Sequence, residues 1–279
     1  MATPPFKPQH LHATPEDLAG NNGIGRYVFL PGSEGRAHEI AKHFDKLIVK
    51  PHPRGHNLYL GTLDCHGTRI DVAAIHSGMG CASVEVILHE LFYLGAKRFL
   101  RVGTAGTLQE FIPVGDVVNA QASVRDENTT VHYVPLEFPA IASLEFTSSI
   151  MLAAEKLHLS QKLHTGIVHC KSSIFAREFS AGPRAEENDA YMDLLTKSGV
   201  FATEMETSAL FIQSHFYNHL LRQQTDSPQH RVLAGAILAI AGSPKHGFDN
   251  SNKASEAIQQ SIQIALETVK ILATQELDH

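Results

Sequence analysis

Short apolar runs and helical stripes alternate along the whole chain. "YVFLPG" (27–32) has the length of a buried strand and ends in a Pro-Gly turn. "SEGRAHEIAKHF" (33–44) opens on serine, a helix start signal, and predicts a helix. From 57 to 80, "NLYLGTLDCHGTRIDVAAIHSGMG" reads as two strands turning near His66 and Gly67 and closing on glycines. "CASVEVILHELFYLGA" (81–96) carries apolar residues at helical spacing and stops at Gly95. Strands follow at 98–106 ("RFLRVGTAG") and 115–125, a helix at 147–159, a strand at 163–175 and a helix at 190–199. The strand-like "SGVFA" (198–202) leads into "TEMETSALFIQSHFYNHLL" (203–221), helix-like after its first residues. A polar loop (222–230), an apolar strand (231–242) and a long amphipathic helix (252–277) complete the pattern.

Strands alternating with helices argue for an α/β sheet covered by helices. The sequence has no internal repeat, low-complexity tract or clear linker, so one domain over 1–279 is expected. The 43% hydrophobic content suffices for a large core. A net charge of −6 without a basic cluster speaks against a nucleic-acid partner. The N-terminal "MATPPFKPQHLHATPED" lacks the apolar stretch of a secretory signal, and no run is long enough to span a bilayer. Three unpaired cysteines (Cys65, Cys81, Cys170) fit a reducing compartment, so a cytoplasmic location without membrane association is expected. His215 and His219 stand four apart, but no HExxH surrounds them and no third ligand is evident, so no metal site is expected.

Three predicted strand ends carry glycine: Pro31-Gly32, Ser77 to Gly80, and Gly103 to Gly106. In open α/β sheets ligands bind beyond the carboxyl ends of strands, where glycine lets backbone N–H groups approach an anion. Arg36 follows the first of these turns and Arg101 precedes the third, with the Thr104 hydroxyl beside it. Guanidinium groups match phosphate or carboxylate with paired charge-assisted hydrogen bonds. Arg101 lies in an apolar run, where a charge needs a partner. Neither loop is a Walker A or a complete dinucleotide fingerprint. A second cluster is "TEMETSAL" (203–210), where Glu204 and Glu206 flank Met205 at a strand-to-helix junction. Thr203 with Glu206 has the spacing of a capping box. Alternatively, one of the acids grips a ligand's hydroxyls.

These segments, in order, resemble the nucleoside phosphorylase family that includes uridine phosphorylase and the hexameric-type purine nucleoside phosphorylases. The resemblance rests on "HLHATPEDL", "PGSEGR", "HSGMGCAS", "FLRVGTAGTLQ", "VGDVV", "PLEFPA" and "TEMETSALF", and leans towards uridine phosphorylase. It implies a three-layer α/β/α sandwich around a mixed, barrel-like sheet. It also implies a homo-oligomer built from dimers, often a hexamer, with sites shared across the interface. The implied reaction is reversible phosphorolysis: a nucleoside and orthophosphate, the co-substrate, give free base and ribose 1-phosphate, with no cofactor. Phosphate would be held by Gly32, Arg36, Arg101 and Thr104, with Arg54 reaching in from a neighbouring subunit. Met205 and Glu206 would hold the ribose, joined by His10 across the interface. Ala105, Gly106, Phe175 and Arg177 would line the base, making Arg101, Glu206 and Arg177 the catalytic set.

The base-reading segment departs from the family. Where uridine phosphorylases carry "FYxGQxR" or "CKDSFYGQH", this chain has "CKSSIFARE" (170–178). Arg177 then stands for the uracil-reading glutamine and Glu178 for the histidine, and Arg177 is either a substitute donor to a base carbonyl or an exposed loop residue. "LAIAGS" (238–243) lacks both the base-directed arginine and the aspartate that protonates purines, which disfavours a purine substrate. Gly55 occupies the place of a cation-binding glutamate found in some relatives. The alternatives are a purine nucleoside phosphorylase, a nucleosidase, or a non-catalytic nucleoside-binding protein.

Overall fold

The computed structural model describes residues 6–223, 231–249 and 251–277. The first ordered elements are a short helix α1 (Pro15–Leu18), β1 (Tyr27–Pro31), α2 (Glu34–Ala41) and β2 (Asp45–Lys50). A hairpin of β3 (Leu58–Cys65) and β4 (Thr68–Ala74) follows. Its turn sits where expected, with His66 (φ 52°) and Gly67 (φ 88°) both left-handed, as a two-residue hairpin turn requires. Next come α3 (Cys81–Tyr93), β5 (Arg98–Thr107), β6 (Val117–Asp126), β7 (Ala140–Ile141), α4 (Leu144–Lys156) and β8 (Leu163–Lys171). The chain continues through α5 (Ile174–Glu178), α6 (Ala185–Lys197), β9 (Ala202–Glu204), α7 (Thr207–Arg222), β10 (Leu233–Ser243), β11 (Gly247–Phe248) and α8 (Asn252–Leu277).

All strands among the described residues belong to one mixed sheet that partly closes on itself. β5 pairs in parallel with β10, β10 antiparallel with β6, and β6 in parallel with β8. β8 runs parallel to β9, and β9 returns antiparallel to β5, completing a five-stranded ring. The ring extends through β1, β4, β3 and the edge strand β2. The expected α/β/α sandwich around a barrel-like sheet is what forms.

The period-2 alternation of strands sorts side chains to the two faces. Along β1, Val28 and Leu30 join the core beneath α3 and α7, while Tyr27 and Phe29 face the opposite core, packed by α2, α4 and α8. Helices approach closely where the strand has no side chain. A Cβ on Gly235 of β10 would lie 2.6 Å from the Phe146 Cβ of α4.

The structure departs from the sequence expectation at a few points. The run 163–175 is a strand only to Lys171, because Ser173 caps a separate short helix by accepting from the Ala176 N–H at 3.4 Å. Strand β9 starts at Ala202 rather than at 198, because α6 runs to Lys197 and Gly199 turns the chain with φ 78°. β2 lacks clean alternation, and its Leu47, Ile48 and Val49 are all exposed at the sheet edge. Of the polar loop 222–230, residues 224–230 lie outside the described residues.

Candidate active site

Because β1, β4 and β5 run in parallel, their carboxyl ends deliver three segments to one place. These are Gly32 after β1, Ser77 to Gly80 after β4, and β5 from Arg101 onwards. Arg101, opposite Leu30 of β1, is buried. Its guanidinium donates to Glu206 Oε2 and, at 3.4 Å, to the Ser77 hydroxyl, and its Nε stands 3.5 Å from Glu204 Oε2. A side chain on Gly32 would begin 3.9 Å from the Arg101 Nη2. Arg36, from the first turns of α2, donates to the Val102 carbonyl at 3.3 Å. Burial and the nearby Arg101 charge pull its pKa down to about 10, with Glu206 opposing. It therefore remains a cation at neutral pH. Gly32, Arg36, Arg101 and Glu206 thus converge.

The two acids of "TEMETSAL" divide the work differently from the capping-box expectation. Helix α7 begins at Thr207, with Glu206 in the non-helical position before it (φ −136°, ψ −23°). Glu204 satisfies the helix start, accepting from the backbone N–H of Glu206 at 2.8 Å and of Thr207 at 3.0 Å, and from the Thr207 hydroxyl at 2.6 Å. Burial and the Glu206 charge raise the Glu204 pKa, while Arg101 opposes the rise. The Thr203–Glu206 box is therefore not formed. Glu206 is free of the helix and accepts from the Gly80 N–H at 2.7 Å. Gly80 holds φ 82°, a left-handed conformation that turns its N–H to the carboxylate. Met205 is half-buried between the acids, and Thr104 is half-buried three residues beyond Arg101 on β5.

Thr203 faces a second polar group. Its hydroxyl stands 2.9 Å from His169 Nδ1 and accepts from Lys171 Nζ at 3.0 Å. His169 Nε2 is 2.9 Å from Asp126 Oδ2. Arg177 clamps the same Asp126 through two hydrogen bonds of 2.7 and 2.8 Å, donates to Asn188 at 2.7 Å, and lies 4.4 Å over the Tyr191 ring. Protein groups thus occupy the Arg177 guanidinium, and the structure does not bring it to the Arg101–Glu206 cluster. Asp126, more than fifty residues away in sequence, captures the guanidinium, and Arg177 is half-buried rather than an exposed loop residue. Lys171, 2% exposed, pairs with Glu178, 5% exposed. No motif spacing singles out Lys171 or His169, although a lysine inside "IVHCK" is a charge in a buried strand and needs a partner.

Ala105 is buried and Gly106 pairs with Thr203 across β5 and β9. Phe175 is 65% exposed, 6.2 Å by ring centroid from Phe179. Arg54 is exposed on the loop after β2. His10 is held within its own chain, its Nδ1 2.8 Å from Glu90 of α3. No group of three or more metal-ligating side chains occurs among the described residues. No helix among them is long and apolar enough to cross a membrane.

A ring-closed α/β/α sheet with a basic and acidic cluster at its strand ends defines a class, and the chain belongs to it: it is a member of the phosphorylase superfamily, whose family profile matches residues 26–275. Among curated proteins it is similar to uridine phosphorylase of Treponema pallidum, with 32% identity over 91% of this chain and 92% of the relative. It is also similar to uridine phosphorylase of Thermococcus kodakarensis, with 30% identity over 95% of this chain and 86% of the relative. A guanosine phosphorylase of Halorubrum lacusprofundi shares 26% identity over 92% of this chain and 98% of the relative.

Proposed function

We propose that this protein is a nucleoside phosphorylase acting on uridine. The observation that carries the reading is the convergence of Arg36 and Arg101 with Glu206 at the ends of parallel strands. Phosphate binds between the two guanidiniums, the Gly32 backbone and Thr104. Glu206, with Met205 beside it, holds the ribose hydroxyls. Ala105, Gly106 and Phe175 line the base. A phosphate oxygen attacks C1′ as the C1′–N bond breaks, its electron pair leaving on the base. Positive charge develops on the ribose and is stabilised by the phosphate dianion beneath it. Holding phosphate in line with C1′ supplies the effective concentration. The reaction needs no cofactor.

In this reading the site is completed by a second copy of the chain, which contributes Arg54 and His10. Two observations support it: Arg54 is exposed, and the loop that carries it follows an edge strand whose Leu47, Ile48 and Val49 are exposed. Unpaired apolar edges are normally covered, and a two-fold pair covers both copies at once. One domain, a cytoplasmic location and dimers assembling further belong to the same proposal.

The test is a panel of uridine, thymidine, cytidine, inosine and adenosine, with and without phosphate, with released base read by chromatography. Phosphate-dependent release of uracil is expected. Release of purine alone would favour the guanosine phosphorylase relative as guide, and release without phosphate would mean a hydrolase.

A further inference from the structure

With Arg177 held on Asp126, the structure leaves another charged side chain at the place where a base edge would lie. Glu178 ends α5, and its carboxylate turns inward. One oxygen, Oε1, pairs with Lys171 Nζ. The other, Oε2, lies over Gly106, 3.7 Å from where a Cβ on that glycine would sit, beside the Thr203 methyl at 3.5 Å from the same point. Lys171 is itself fixed, donating also to the Thr203 hydroxyl at 3.0 Å and to the Glu204 carbonyl at 3.3 Å. With three acceptors around it, the ammonium has no donor left for a ligand. Its effect is to hold the Glu178 side chain in place, and a carboxylate only accepts hydrogen bonds.

We infer that Glu178, positioned by Lys171, reads the base through a ring N–H flanked by a carbonyl, the group shared by uracil and 6-oxopurines. This inference rests on the proposed reading of Ala105 and Gly106 as the base subsite. A base whose ring nitrogen is an acceptor at that point, or is methylated, leaves Glu178 Oε2 without a donor, since Lys171 holds the other oxygen. Such an unmet buried group discriminates strongly. In Glu178→Gln the carbonyl oxygen takes over the bond to Lys171 and the amide N–H₂ faces the base, so an acceptor becomes a donor.

The experiment compares uracil with 3-methyluracil, and hypoxanthine with 1-methylhypoxanthine, by calorimetric binding to the wild-type protein and to Glu178→Gln. Phosphorolysis of uridine and 3-methyluridine is measured alongside. The wild type is expected to prefer at least one unmethylated base over its methylated form. Glu178→Gln should lower that preference by about tenfold or more, the factor carried by a hydrogen bond to a charged group, while KM for phosphate stays unchanged. A steric penalty from the methyl group is common to both proteins and cancels in the comparison. An equal preference in both proteins overturns the inference, as does a wild type that binds none of the bases or does not discriminate. Where Glu178→Gln does not fold, Lys171→Met/Glu178→Gln removes both charges together and must show the same loss of preference. The two readings separate cleanly. Phosphorolysis of uridine with an unaltered Glu178→Gln preference sinks this inference alone. Glu178-dependent uracil binding without phosphorolysis by the wild type sinks the enzymatic reading alone.

Discussion

Arg101 is the residue on which most of the site depends. It touches Ser77, faces Glu204 and pairs with Glu206. Arg101→Ala removes charge-assisted hydrogen bonds worth about 1.5–3 kcal/mol. Phosphorolysis should fall by about tenfold to a hundredfold or more, and steady-state kinetics in varied phosphate would show the loss. Near-normal turnover would sink the assignment of the anion site. His169 makes a separate prediction, about pH. Burial holds its pKa below the ordinary 6.5, with Asp126 opposing. The unfolded chain therefore binds a proton near pH 6.5 that the folded chain refuses. Stability is present above that pH and is lost as pH falls from 6.5 towards the folded value. Asp126, held below its ordinary 3.8 by His169 and Arg177 against its burial, adds a loss of the same sign at lower pH. Urea midpoints of the wild type should fall on acidification through this window, and those of His169→Gln should fall less. Equal slopes would mean that His169 is not held neutral.

At the scale of elements, α8 is tied to the sheet by more than its apolar face. Arg98, at the start of β5 and 1% exposed, meets Glu276 near the end of α8 through bonds of 2.9 and 2.5 Å. The same carboxylate accepts from the Tyr27 hydroxyl of β1 at 2.6 Å. Glu276→Ala leaves a buried guanidinium without its counter-charge, which costs about 3 kcal/mol or more. The melting temperature should drop by several degrees, with KM values little changed because Glu276 meets Arg98 and Tyr27 at the amino ends of β5 and β1, opposite the carboxyl ends that carry the site. An unchanged melting temperature would show that Arg98 finds other acceptors, of which the Arg231 carbonyl at 2.5 Å is the nearest at hand. The alternation of strand and helix was legible in the sequence for the main elements from β1 to α8, but not at β2, whose exposed run carries no alternation. The boundary at Lys171 was not, because "CKSSIF" is apolar enough to continue a strand and only the Ser173 cap ends it.

For the whole molecule, the proposed assembly places Arg54 and Arg101 of one site on different copies. Arg54→Ala should raise KM for phosphate about tenfold or more, with no change in thermal stability, since Arg54 is exposed. A mixture of Arg54→Ala and Arg101→Ala proteins, unfolded and refolded together, should show at low phosphate more activity than either variant alone, because a mixed pair rebuilds one complete site. No recovery, or a monomer by sedimentation, would remove the shared-site proposal.

The class of fold, the glycine-bearing strand ends and the presence of Arg36, Arg101 and Glu206 near them can be read from the chain without coordinates. Those features are written in local spacing: a period of two or 3.6 residues, a turn dipeptide, a charge within an apolar run. Which acid caps α7, where Arg177 points, and that Lys171 holds Glu178 beside Gly106 emerge from the folded arrangement. Each of those outcomes is a competition among polar partners, several brought together from distant segments, such as Arg101 with Glu204 and Glu206 or Arg177 with Asp126. Burial forces every such group to find a partner. Which partner it finds depends on the closure of the sheet, which local periodicity does not contain.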